Sequence, residues 1–207
     1  MSGRFISLEG GEGAGKSTQL RLLAAALRQR GLEVVETREP GGSPGAEAIR
    51  ALLLNGPEDR WTVEAEALLF AAARADHVAR TIRPALERGA WVLSDRFLDS
   101  SLAYQGGAGG VEVEALRRLH AIVSGGLMPD RTFLLRLPEA QAAERCAARD
   151  PEGADRIGAR DAAYHRSVAA AFAGLAEAEP ERIRVIDAGG APEEVSERLL
   201  RDLGDLL

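Results

Sequence analysis

Phe5 to Leu8 form a short apolar run that stops at glycine, and Leu20, Leu23 and Leu27 then recur at helical spacing. A buried strand that turns straight into an amphipathic helix sends the chain back across one face of a sheet, so the next strand runs parallel to the first. Similar short runs recur at Val34-Val35, Trp91 to Leu93, Phe133 to Leu135 and Ile183 to Ile186. Between them, apolar spacing predicts helices over about 17–30, 44–55, 63–87, 112–124, 138–148, 159–178 and 192–206. Strands that alternate with helices imply an α/β fold in three layers, a five-stranded parallel sheet flanked by helices. Gly/Pro-rich stretches at 39–45, 105–110 and 149–156 read as loops, and no repeat or linker divides residues 1–207, which read as one domain.

The nine residues between the first strand and its helix are GGEGAGKST, Gly10 to Thr18. Gly10, Gly15, Lys16 and Ser17 fit G-x-x-x-x-G-K-[ST], in the strand-to-helix context that a P-loop requires. Glycines let backbone N–H groups curl around phosphate oxygens, the helix N-terminus adds partial positive charge, and the Ser17 hydroxyl suits Mg²⁺. Lys16 is the one lysine among 26 basic residues. A compact ammonium fits inside a loop wrapped around phosphates, whereas a planar guanidinium is too broad. The fold is therefore expected to be of the P-loop NTPase type, with Gly10, Gly11, Glu12, Gly13, Ala14, Gly15, Lys16, Ser17 and Thr18 as the nucleotide-binding set. A dinucleotide fingerprint fails because glycine would be needed where Lys16 stands. A guanine-reading Asn-Lys-x-Asp motif needs a second lysine, so ATP is the expected nucleotide. Asp95 ends the apolar run beginning at Trp91 and is expected to hold Mg²⁺ with Ser17.

Composition limits the partners. The formal net charge is -6, which argues against a surface that tracks nucleic acid or an anionic membrane. One cysteine, Cys146, cannot close an internal disulfide, and the beginning of the chain has no signal-peptide pattern, so the cytoplasm is the expected compartment. No apolar run is long enough to span a bilayer. His77, His120 and His165 lack metal-ligand spacing and receive no chemical role.

The segments LEGGEGAGKST (8–18), TREPGG (37–42), LLFAAAR (68–74), DRFLDSSLAYQGG (95–107) and DRIGAR (155–160) together resemble the thymidylate kinase family, over nearly the whole chain. The resemblance implies a five-stranded parallel core, a lid at about 146–160, Mg²⁺ dependence, a homodimer, and transfer of the ATP γ-phosphoryl group to dTMP in dTTP biosynthesis. Position by position it implies that Arg96 and Arg50 grip the dTMP phosphate, Phe70 stacks on thymine, and Arg74 donates to its carbonyl. It implies further that Ser101 and Gln105 address the base edge, Tyr104 lies against the deoxyribose, and Glu12 meets the sugar 3′-hydroxyl. Family members place an arginine either within the P-loop or in the lid. Here the variable loop positions are Gly11, Glu12, Gly13 and Ala14, so Arg149 and Arg156 are the expected lid arginines. Such a residue is worth about 10³ to 10⁵ in rate in related reactions. Phe97 stands where many members have Tyr or His, so a hydrogen bond from that ring is absent.

The residues alone leave two rivals open. One is a kinase for another nucleoside monophosphate or a deoxynucleoside, and the other is a switch-type P-loop ATPase acting through partners. The Ala-rich segment 64–82 has small apolar residues suited to close helix packing; the resemblance points to a dimer contact, and burial within the monomer explains it nearly as well.

Overall fold

The computed structural model describes residues 3–149 and 155–207, with the backbone alone for 146–149. Five strands, β1 (Phe5–Glu9), β2 (Val34–Arg38), β3 (Trp91–Asp95), β4 (Arg131–Arg136) and β5 (Ile183–Asp187), pair in the order β2-β3-β1-β4-β5. Every pairing is parallel, as the alternating pattern predicts. β1 lies at the centre, with Leu8 beside Asp95 on one side and Phe133 on the other. The P-loop therefore leaves the middle of the sheet's carboxyl edge, where ligands of open α/β sheets collect.

Side chains of β1 alternate across the sheet. Ile6 and Leu8 enter a core beneath α1 (Lys16–Gln29) and α9 (Pro192–Asp202), while Phe5 enters a second core on the other face. That second core is closed by α3 (Val63–His77), α4 (Arg83–Glu87), α5 (Leu98–Ser101) and α6 (Val113–Ser124), through residues such as Ala67, Ala85, Leu98 and Leu116. A third core around Tyr104, Phe172 and Ile183 seats α8 (Ala162–Ala178). Among the described residues, α2 (Pro44–Leu54) packs along α3, and α7 (Glu139–Arg149) follows β4.

Two departures from the expected elements have physical causes. The single helix expected over 63–87 is α3, a widened turn at Val78–Ile82 and α4. Pro84 has no N–H to give, and the i→i−5 bond from Arg83 N–H to Val78 carries the backbone past it. The loop expected at 105–110 is helical as far as Ala108, with π-type winding over Leu102–Ala108. The glycines there serve close packing instead of a turn: a Cβ on Gly107 would collide with the Ala171 side chain of α8. Of the lid expected at about 146–160, residues 150–154 lie outside the described residues. Among the described residues, no helix is long and apolar enough to cross a membrane.

Candidate active site

Gly10 to Gly15 join β1 to α1, and Gly10, Gly13 and Gly15 all adopt positive φ, at 136°, 72° and 89°. A Cβ at Gly10 would come within 2.5 Å of the Leu135 carbonyl oxygen, so glycine is required both by the backbone and by its neighbour. Gly15 lies in the left-handed region immediately before α1, which leaves the first N–H groups of that helix pointing out of the loop without intrahelical partners. Lys16 is buried, and its Nζ donates to the carbonyls of Gly10 and Gly11 at 3.1 and 2.8 Å. Burial, with Arg96 close by, lowers the pKa of the Lys16 ammonium from its ordinary value, opposed by Glu12, Asp95 and Glu9.

At the first turn of α1, the Ser17 hydroxyl donates to Asp95 Oδ2 at 2.6 Å. A hydroxyl and a carboxylate are hard oxygen donors suited to Mg²⁺, which keeps several waters and takes few protein ligands. No group of three His, Cys, Asp or Glu side chains is placed to hold a metal among the described residues. The site thus fits an ion that completes its shell with water and phosphate.

Arg96 follows Asp95 and is a non-glycine residue at positive φ, 74°. This turn swings its side chain over the P-loop, where Nη1 donates to the Gly10 carbonyl at 3.0 Å and to Ser100 Oγ at 3.1 Å. Nη2 pairs with Glu12 Oε1 at 2.5 Å and donates to the Tyr104 hydroxyl at 3.2 Å. Burial opposes the charge, but Tyr104, Glu12 and Asp95 raise the Arg96 pKa above the usual guanidinium value. The other phosphate-gripping candidate, Arg50 of α2, donates from Nη1 to the Pro40 carbonyl at 2.7 Å.

A third group forms the end of the cavity away from the P-loop. Arg74 is buried, with Nε on Glu39 Oε2 at 2.8 Å and Nη2 on the Phe97 carbonyl and Ser101 Oγ at 3.2 and 2.9 Å. Its Nη1 has no protein acceptor among the described residues. Glu39 is held in turn by His77 Nδ1 at 3.0 Å, and His77 Nε2 lies 2.6 Å from Thr37 Oγ1. Burial works to raise the Glu39 pKa, but Arg74 and His77 outweigh it and the carboxylate stays ionised more readily than usual. Gln105 donates from Nε2 to Glu66 Oε1 at 3.0 Å, which directs its carbonyl oxygen away from that carboxylate.

Glu12 to Thr18, Arg50, Phe70, Arg74, Asp95, Arg96, Ser101, Tyr104 and Gln105 all line one cavity of about 1020 Å³. Arg156, expected as a lid arginine, does not line it. Its side chain is buried away from the cavity, with Nε on the Leu53 carbonyl at 2.7 Å, Nη1 on the Glu58 carbonyl at 3.1 Å and Nη2 paired with Glu66. Asp155 and Ile157 on either side of it do line the cavity. The Arg149 side chain lies outside the described residues. Arg145, just before the expected lid, does line the cavity, and its Nη1 lies 3.7 Å from where a Cβ on Gly15 would be.

Sequence reasoning gave no role to Glu9, Glu66 and His77, which are all buried and all support a cavity residue. Glu9 had a signal, a carboxylate closing an otherwise apolar strand. His77 had none, because its partners lie 38 and 40 residues away.

Residues 8–199 match the family model described as Thymidylate kinase. The chain belongs to the thymidylate kinase family. The thymidylate kinase of Rhizorhabdus wittichii is 65% identical over 207 residues, all of both chains. That of Symbiobacterium thermophilum is 50% identical over 98% of this chain and 94% of its own. The crystal structure of thymidylate kinase from Ehrlichia chaffeensis superposes with a TM-score of 0.75 at 30% identity, covering 98% of this chain and 99% of that one. A thymidylate kinase is an ATP-dependent nucleoside monophosphate kinase, so membership settles the choice between a switch-type ATPase and a kinase that the motifs alone left open.

Proposed function

We propose that the cavity holds two nucleotides with their phosphates meeting between Lys16 and Arg96, and that the chain phosphorylates dTMP to dTDP with ATP. The observation that carries this reading is the continuity of the cavity. Phosphate-binding loop, Ser17-Asp95 pair, Arg96 cluster and Arg74-Ser101-Gln105 wall border one space instead of two.

In this reading Lys16 exchanges the Gly10 and Gly11 carbonyls for phosphate oxygens of ATP, and the N–H groups of the loop bind the rest. Ser17 and Asp95 would hold Mg²⁺, which would supply neutralisation of the charge that builds up on the transferring group. Arg96 and Arg50 hold the acceptor phosphate in line. Arg74 Nη1 donates to a thymine carbonyl, Phe70 stacks on the ring, and Ser101 and Gln105 read its edge. Tyr104 lies against the deoxyribose, and Glu12, anchored by Arg96, orients the 3′-hydroxyl. The acceptor is already an anion, so positioning and charge neutralisation do the catalytic work without a strong general base. Arg149 remains the candidate for lid charge, with Arg145 added to it because of its place beside Gly15. Residues 1–207 act as one domain, working in the cytoplasm as a homodimer, with dTMP and ATP as the partners and neither nucleic acid nor membrane required.

A coupled ADP-release assay with dTMP, dUMP, CMP and AMP tests the substrate: turnover is expected to be best with dTMP, and preference for AMP or CMP would sink the assignment. Lys16→Met is expected to lower kcat/KM by at least about 10²-fold, on the scale of a lost transition-state donor, and full activity in that variant would remove Lys16 from the mechanism.

A further inference from the structure

Glu9 is the last residue of β1, and its carboxyl group is wholly buried below the P-loop. No step above uses it. Burying a carboxyl is unfavourable unless its hydrogen bonds are satisfied, and Glu9 directs both of its oxygens to the same short segment. Oε1 accepts the Phe97 N–H at 2.7 Å, and Oε2 accepts the Ser100 hydroxyl at 2.5 Å. Phe97 is the residue after Arg96, and Ser100 Oγ is the atom that accepts from Arg96 Nη1. Arg96 thus depends on Glu9 twice, through the backbone that leaves its left-handed turn and through the hydroxyl that receives its guanidinium. The segment is braced from behind as well. Asp99, between these contacts, takes Arg182 in a two-bond pair at 2.7 and 2.8 Å and accepts from Thr132 at 3.1 Å.

We infer that Glu9 is a positioning residue for phosphoryl transfer, holding both the backbone and the side chain of Arg96 in the geometry that receives the acceptor phosphate. The inference rests on the reading of Arg96 as a grip on dTMP, and it assigns Glu9 no contact with substrate. An alternative part, plain support of the core, would make its loss felt at every ligand equally.

Calorimetric titration of dTMP and, separately, of a non-hydrolysable ATP analogue into wild type, R96A, E9A and R96A/E9A distinguishes these. E9A is expected to weaken dTMP binding roughly 10- to 100-fold, the scale of losing an ordered hydrogen bond to the charged Arg96 guanidinium, while ATP-analogue affinity moves by less than about threefold. In the R96A background the same change is expected to add less than about threefold, because the two residues act as one unit. E9Q keeps an acceptor for the Phe97 N–H and a polar partner for Ser100, and should recover most of the loss. An equal loss from E9A in both backgrounds, or an equal loss for both nucleotides, overturns the inference. R96A binding dTMP as tightly as wild type instead overturns the reading of Arg96 itself. If E9A does not fold, S100A takes its place in the cycle: its loss of dTMP affinity should appear only where Arg96 is present, and equal loss in both backgrounds overturns the inference.

Discussion

Single residues at this site are set by the space around them as much as by their charge. Lys16 stays lysine because the loop leaves room for one compact donor, and Gly10 stays glycine because the Leu135 carbonyl fills the place of a side chain. Both were legible in the sequence, since motif spacing encodes local geometry. Glu9 offered only the signal of a carboxylate closing an apolar strand, and its role was hidden because it comes from Phe97 and Ser100, 88 and 91 residues away. Burial, with Asp99 adding to it, pushes the Glu9 carboxyl up to about 8. A carboxyl raised in the folded state gives stability that is complete below its unfolded pKa of 4.5 and is lost as pH rises through about 8. The thermal midpoint of wild type should therefore decline between pH 5 and 8 by a component that Glu9→Gln lacks; scanning calorimetry across that range checks it, and parallel profiles for the two proteins would count against a raised Glu9.

Elements were read well where apolar period decided them and poorly where packing did. All five strands and the long helices followed from spacing alone. The helix after β3 was hidden by its own glycines, which look like turn residues but admit the neighbouring α8. Arg156 shows the same limit for function. Position placed it in the lid, yet its donors secure the last carbonyls of α2 and the Glu66 carboxylate of α3. It thereby ties together the helix that carries Arg50, the helix that carries Phe70 and Arg74, and, through Glu66, the amide of Gln105. Arg156→Ala should cost roughly 3 kcal/mol of stability in urea titrations, the lower range for breaking a buried ion pair, because Arg160 still faces Glu66 at 2.7 Å. It should also raise the KM for dTMP more than that for ATP. A loss confined to kcat with stability intact would return Arg156 to the catalytic part expected from sequence.

For the molecule as a whole, a parallel sheet centred on β1 gathers the ends of three neighbouring strands into one mouth, and the cations needed for two polyanions are concentrated there within an acidic chain. The outer surface carries a different signal. Leu68 of α3 and Ile122 of α6 are 57% and 81% exposed on adjacent helices, which suits burial against a second copy. Sedimentation velocity should give a dimer at micromolar concentration for wild type and a monomer for Leu68→Arg; a wild-type monomer would remove the homodimer from the proposal. The lone lysine has one more consequence. Apart from the N-terminus, the ammonium held against the Gly10 and Gly11 carbonyls is the chain's only primary amine. Acylating reagents that scatter labels over most proteins would here have one internal target, so ordinary amine labelling reads occupancy of the phosphate loop.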